Sequence, residues 1–273
     1  MDRRESVKSS DYPIILRPMS LPKAVAVVGF KGAGKTRVVE ALVRGLSQRG
    51  YRVGTVKHAS GRHPIDTPGK DTWRHRMAGS YSTAILTPQG SAVYLNHPVE
   101  LAEVLPHLGA VDLLILEGFK SLNRVARIIV PSSPRDLDTL ANGLEIAVTP
   151  ISDEGAELYE KGIPVIPLSR LGDLIDLVLE KAFPVLPGLD CRSCGYEGCE
   201  ALAKAILSGE AKAESCAPLF GGGVRLMVDG RSIPLNPFVR SFIGNVVLGM
   251  TRALKGVEKP GRIEITVDAG DLG

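Results

Sequence analysis

The stretch that most constrains this chain is residues 24–36. A short valine-rich run, AVAVV, leads into Gly29-Phe30-Lys31-Gly32-Ala33-Gly34-Lys35-Thr36, which fits the phosphate-loop pattern G-x-x-x-x-G-K-S/T. The following residues, KTRVVEALVRGLSQR, place Val38, Val39, Leu42 and Leu46 at helical spacing, and Gly50 closes the segment. The context is therefore strand, glycine-rich loop, amphipathic helix. Glycines let successive backbone N–H groups turn inward around an anion, and a helix N-terminus adds partial positive charge. Gly29, Gly32, Ala33 and Gly34 are candidate nucleotide contacts. Lys35 is the candidate for the β- and γ-phosphates, and the Thr36 hydroxyl is a candidate Mg²⁺ ligand. Position 30 is Phe, where P-loop ATPases with a second signature lysine carry Lys. Lys31 is one place off and reads as a solvated loop charge.

Such a loop commits the surrounding chain to alternating strands and helices. Further strands are expected at 52–57 (RVGTVK), 82–86, 127–130, 145–148 and 165–167, with helices near 73–78, 99–108 and 171–183. VDLLIL at 111–116 is continuously apolar, as suits a strand buried on both faces of a parallel sheet. The expected class is α/β, a P-loop NTPase with a mostly parallel sheet. It should span residues 23–184, behind an N-terminal tail of residues 1–22.

Side chains at the C-terminal ends of parallel strands face the ligand crevice. Glu117 ends the apolar strand and is the candidate partner of Mg²⁺ or the γ-phosphate; Asp112 belongs to the far end. The loop at 57–71, KHASGRHPIDTPGKD, leaves the same edge with Asp66 and Asp71. These are candidates to hold Mg²⁺ in a switch-like segment, or else turn and N-cap residues. No N-K-x-D motif is present. Asp153, in TPISD after a late strand, could instead meet a purine N1–H and exocyclic amine, or simply cap a helix.

All four cysteines fall within 26 residues, Cys191-x2-Cys194-x4-Cys199-x16-Cys216. A disulfide framework would spread through a small secreted domain, so the cluster reads as a metal site. Zinc ribbons favour two C-x2-C knuckles. Four thiolates with this split spacing suit an iron–sulfur cluster better. Pro184–Asp190, with two prolines and a glycine, is the expected boundary before a module at 188–219. Residues 220–273 read as a small α+β subdomain: strand, turn, strand, helix near 236–254, and a last strand RIEITV.

Thirty-three basic against 30 acidic residues is too even a balance for a general nucleic-acid binder. No apolar run approaches the length that spans a membrane, and the first residues carry no secretory pattern. A cytoplasmic protein without membrane contact is expected.

Three further segments carry a resemblance. VGTVKH (53–58), IDTPGKDTWRHRMAGS (65–80) and LEGFK (116–120), placed after this P-loop, resemble the molybdopterin-guanine dinucleotide biosynthesis protein B (MobB) family over about residues 23–183. The resemblance implies GTP binding with at most weak hydrolysis. It implies an adapter role for the guanylyltransferase that attaches GMP to molybdopterin, contact with molybdopterin or a molybdoenzyme, and a homodimer. Carried over by position, Lys35 and Thr36 meet phosphate and Mg²⁺, Asp66 and Asp71 lie in the switch-like loop, and Glu117 sits beside Mg²⁺. The family's histidine pair after K-H is replaced by Ser60 and Gly61, with His63 nearby. Residues 186–219 are similar to the four-cysteine 4Fe-4S domain found in one component of electron-transport complexes and in corrinoid iron–sulfur proteins. That implies Cys191, Cys194, Cys199 and Cys216 as ligands. Two other functions stay open: an ATPase gating electron transfer through the cluster, and a small-molecule kinase. Base preference separates the adapter from both.

Overall fold

A computed structural model describes residues 21–59, 61, 64–159, 162–220, 223–224, 226–229, 231–233, 235–254 and 263–267 of the 273. The chain forms two compact units, Met1–Val185 and Leu186–Gly273.

The first unit runs β1 (Lys23–Val28), α1 (Lys35–Gln48), β2 (Val53–Lys57), α2 (Asp71–Met77), β3 (Ser82–Thr87), β4 (Gly90–Leu95), α3 (Leu101–Val104), β5 (Leu113–Glu117), β6 (Ala126–Ile129), α4 (Asp136–Leu140), β7 (Glu145–Val148) and α5 (Leu171–Lys181). Five strands form one sheet in the order β2-β5-β1-β6-β7, and every pairing in it is parallel. β1 and β5 sit inside the sheet, and Ala24–Val28 and Leu113–Leu116 are all but fully buried. This explains their uniform apolar character: a strand covered on both faces has no polar side to alternate with. Helix α1 buries Val38, Val39, Leu42 and Leu46, and α5 buries Leu174, Ile175 and Val178. Burying each large aliphatic side chain contributes about 1.5–3 kcal/mol.

The N-terminal edge of the sheet is clamped by Asp112. Its Oδ2 accepts from Arg52 N and Nε at 2.8 and 3.0 Å, and its Oδ1 from Arg52 Nη2 at 2.7 Å, tying the start of β2 to that of β5. The Arg52 guanidinium holds the Asp112 carboxyl down at about 2.

Three expectations for this unit need correction. Residues 82–86 do not enter the parallel sheet: β3 pairs antiparallel with β4, an unforeseen strand, in a two-stranded sheet of their own. Residues 99–108 make one α-helical turn, α3, then a 3₁₀ segment Leu105–Leu108, where Pro106 lacks the N–H that would continue the helix. Of residues 165–167, only Val165 bridges the sheet, to Val148. Helix α4 was also unforeseen; its five residues are too short for periodicity to show.

The second unit contains α6 (Cys199–Ser208), α7 (Ala217–Phe220), β8 (Leu226–Val228), β9 (Arg231–Ile233) and α8 (Pro237–Arg252). β8 and β9 form an antiparallel hairpin. Asn236 caps α8 by accepting from Val239 N at 2.9 Å. Residues 263–267, in the expected last strand, form no strand; Arg262 lies outside the described residues. Among the described residues no helix is long and apolar enough to cross a membrane.

Candidate functional site

Parallel pairing brings the C-terminal ends of β1, β2, β5, β6 and β7 to one edge. The P-loop lies there between β1 and α1. Its glycines answer to specific constraints. A Cβ on Gly29 would lie 2.4 Å from the Val130 carbonyl oxygen. Gly34 has φ +92°, and a Cβ there would lie 2.6 Å from Ile151 Cγ1. The loop thus packs against the segments leaving β6 and β7.

Lys35 Nζ donates to the Phe30 carbonyl oxygen at 2.7 Å, across the loop itself. Burial lowers the Lys35 pKa. Glu117 opposes that, while Lys120 and Lys57 push in the same direction as burial. Lys35 therefore lies within electrostatic reach of Glu117, Lys120 and Lys57. Glu117 is buried at the end of β5. Its Oε1 accepts from Thr36 Oγ1 at 3.0 Å and lies 3.0 Å from Lys57 Nζ. Register explains this: Glu117 pairs with Val27 on one side and Lys57 on the other. Lys120 Nζ sits over the Phe30 ring, 4.2 Å from its centroid.

Thr36 and Glu117 suit Mg²⁺. The ion takes hard oxygen ligands at about 2.0–2.1 Å in an octahedron, so adjacent ligands sit about 2.9 Å apart. The Thr36–Glu117 oxygen separation is 3.0 Å.

Beside the loop is an open cleft of about 400 Å³, lined by Gly32–Gly34, Arg37, Pro131, Ser132, Pro150–Ser152, Glu154 and Tyr159. Asp136 shapes one wall. Its carboxylate accepts from Ser132 N at 2.7 Å and Ser133 Oγ at 2.8 Å. Burial alone would raise the Asp136 pKa, but these bonds outweigh it and the net shift is downward. Asp153 does not line this cleft; its Oδ1 accepts from Ser169 Oγ, and the neighbouring Glu154 lines it instead.

Asp66 and Asp71 stand apart from the Thr36–Glu117 pair. Asp66 Oδ1 accepts from Thr67 N at 2.8 Å and Thr72 Oγ1 at 3.2 Å, and Oδ2 lies 3.6 Å from Arg76 Nη1. Asp71 is exposed in the first turn of α2. Among the described residues no hydrogen bond or ion pair joins either carboxylate to the P-loop or Glu117. Ser60 and His63 lie outside the described residues.

Lys57, Lys120 and Arg37 are the site residues that sequence reasoning passed over. Lys57 closes a strand in the motif VGTVKH, so its position was readable. Its neighbour was not, because strand order is not written in the sequence.

In the second unit all four cysteines are free thiols, Cys199 and Cys216 buried and Cys191 and Cys194 half-buried. Cys199 opens α6, and its N–H donates to Asp190 Oδ1 at 2.7 Å. Burial is the main reason the Cys216 thiol is pushed up to about 11. A bond from Leu219 N–H opposes it, and Cys199, Cys194 and Cys191 add to it. The other three cysteines are therefore near enough to act on Cys216. Yet among the described residues no three His, Cys, Asp or Glu groups close about one point as the ligands of a single ion do.

Comparison with known proteins bears on both units. Residues 24–147 match the family model "Molybdopterin guanine dinucleotide synthesis protein B" (MobB). A "Probable molybdopterin-guanine dinucleotide biosynthesis adapter protein" of Bacillus subtilis is 31% identical over 137 residues, 46% of this chain and 73% of that one. The chain belongs to the MobB family. A "Putative molybdopterin-guanine dinucleotide biosynthesis adapter protein" of Methanocaldococcus jannaschii aligns over 252 residues at 29% identity, covering 92% of this chain and 99% of that one. Residues 186–218 match a second family model, "Putative Fe-S cluster". A component of the ion-translocating oxidoreductase complex of Azoarcus sp. is 41% identical over 54 residues, 20% of this chain and 30% of that one. This member of the MobB family thus joins an α/β P-loop unit to a segment of the iron–sulfur cluster type.

Proposed function

We propose that this MobB-family chain binds GTP with Mg²⁺ at the P-loop, hydrolyses it weakly at most, and serves as an adapter. Its partner would be the guanylyltransferase that attaches GMP to molybdopterin, and it would act where molybdopterin or the receiving molybdoenzyme is handed over. The observation that carries this reading is the Thr36–Glu117 pair at the mouth of the P-loop, with Lys57 on the same Glu117 oxygen and Lys35 close by. Backbone N–H groups of residues 29–36 would bind the phosphates, with Lys35 leaving the Phe30 carbonyl to reach the terminal ones. Mg²⁺, held by Thr36 and Glu117, would supply charge neutralisation on the phosphate oxygens. Asp66 and Asp71 belong to the segment that would order around the bound nucleotide. The cleft beside Gly32–Gly34 and Arg37 would take the nucleoside, with Glu154, which lines it, as acceptor for guanine N–H groups in place of Asp153.

Cys191, Cys194, Cys199 and Cys216 would ligate a 4Fe-4S cluster, which supplies one-electron chemistry or simple cross-linking of the second unit. Free thiols of this kind suit a reducing compartment, and we place the protein in the cytoplasm. The β3–β4 hairpin supports a homodimer. A two-stranded sheet buries little by itself, and this one exposes Leu86 and Val93.

The test is competition of GTP and ATP for the anaerobically purified protein with Mg²⁺ present. At least tenfold preference for GTP, with capture of the guanylyltransferase, is expected. Equal binding or ATP preference would move the reading to an ATPase gating electron transfer through the cluster.

A further inference from the structure

Glu117 Oε1 is shared. Thr36 Oγ1 and Lys57 Nζ both lie 3.0 Å from it. Any Mg²⁺ held by Thr36 and Glu117 would take the same oxygen that the Lys57 ammonium now neutralises. Two cations at one carboxylate oxygen repel strongly where water is largely excluded, and the Glu117 side chain is only 10% exposed. Lys57 is built to yield. Its side chain is 60% exposed, on a flexible four-carbon stem, and it ends β2, a strand at the margin of the sheet. Lys35, by contrast, is held to the Phe30 carbonyl oxygen.

We propose that Lys57 is a positioning residue that alternates with Mg²⁺ on Glu117. With the metal away, Lys57 keeps the buried carboxylate neutralised, so that Glu117 does not repel an incoming polyphosphate. When the metal arrives, the ammonium leaves Glu117 and turns to the phosphates, adding to Lys35 and Lys120. The proposal rests on the nucleotide reading above for its second half; its first half concerns only Lys57, Glu117 and a divalent ion.

The two halves are read separately on the whole chain with its cysteine segment intact. Without nucleotide, Mn²⁺ is titrated as the paramagnetic stand-in for Mg²⁺. Lys57→Met should bind Mn²⁺ at least tenfold more tightly than the wild type. Lys57→Arg should behave like the wild type, and Glu117→Gln added to Lys57→Met should abolish the gain. Unchanged Mn²⁺ affinity in Lys57→Met, or a gain that survives Glu117→Gln, would overturn the proposal. With GTP, Lys57→Met should weaken metal-free binding at least tenfold and lose much less when Mg²⁺ is supplied. Equal losses with and without metal would overturn the alternation. A wild type that binds no GTP, in a protein where Lys57→Met gains Mn²⁺ through Glu117, would uphold the lysine–metal exchange and refute the nucleotide reading instead.

Discussion

Gly34 and Asp112 show how single residues divide the labour between the two edges of the sheet. Gly34 adopts φ +92° with its Cα facing Ile151. Any side chain there meets left-handed strain of roughly 1–2 kcal/mol, besides the contact. Gly34→Ala should lower the melting temperature of the first unit by several degrees and abolish GTP binding in equilibrium titration. Asp112 works at the opposite edge, where its clamp on Arg52 needs the ionised carboxylate. Its pKa is depressed from 3.8 to about 2, so its contribution is present above about pH 3.8 and is lost as pH falls through about 2. Asp112→Asn should shift acid unfolding to higher pH, followed by circular dichroism, and leave GTP affinity unchanged. A change in GTP affinity would mean that the clamp shapes the site. The phosphate loop, Glu117 and the four cysteines were legible as residues because their chemistry dictates their spacing. The lysines around Glu117 were not, because what makes Lys57 matter is a neighbour 60 positions away in sequence, brought close by register.

Among the elements, legibility followed burial. β1 and β5 are apolar throughout, and α1 shows a clean helical stripe, so each could be read directly. β4 could not: none of residues 90–95 is buried and half are exposed, and GSAVYL shows no alternation of apolar and polar residues. The same exposure explains why residues 82–86 read as one more strand of the parallel sheet. The hairpin they form, β3–β4, leaves Leu86 84% exposed, and its edges carry unpaired backbone groups. If this hairpin is the dimer seam, Leu86→Asp should convert dimer to monomer in sedimentation velocity while GTP affinity holds. A Leu86→Asp protein that remains dimeric would place the seam elsewhere.

At the scale of the whole molecule, the two units divide their stabilising physics. The first has a sheet buried on both sides and needs no cross-link. Among its described residues the second buries little: helix α6 contributes Cys199, Leu202, Ala203 and Ala205, and α8 contributes no buried residue. Small cores of that kind lean on a metal staple, which the four cysteines would supply if they hold the proposed cluster. The central claim is that nucleotide and cluster are bound by different residues in different units. The most direct test purifies wild type, Lys35→Ala and Cys199→Ser without oxygen and measures, on each sample, Mg²⁺-dependent GTP binding and the brown charge-transfer absorbance of the cluster. The account predicts that Lys35→Ala loses GTP binding at least a hundredfold and keeps its colour, and that Cys199→Ser loses its colour and keeps GTP binding. Loss of both properties from either substitution would contradict it.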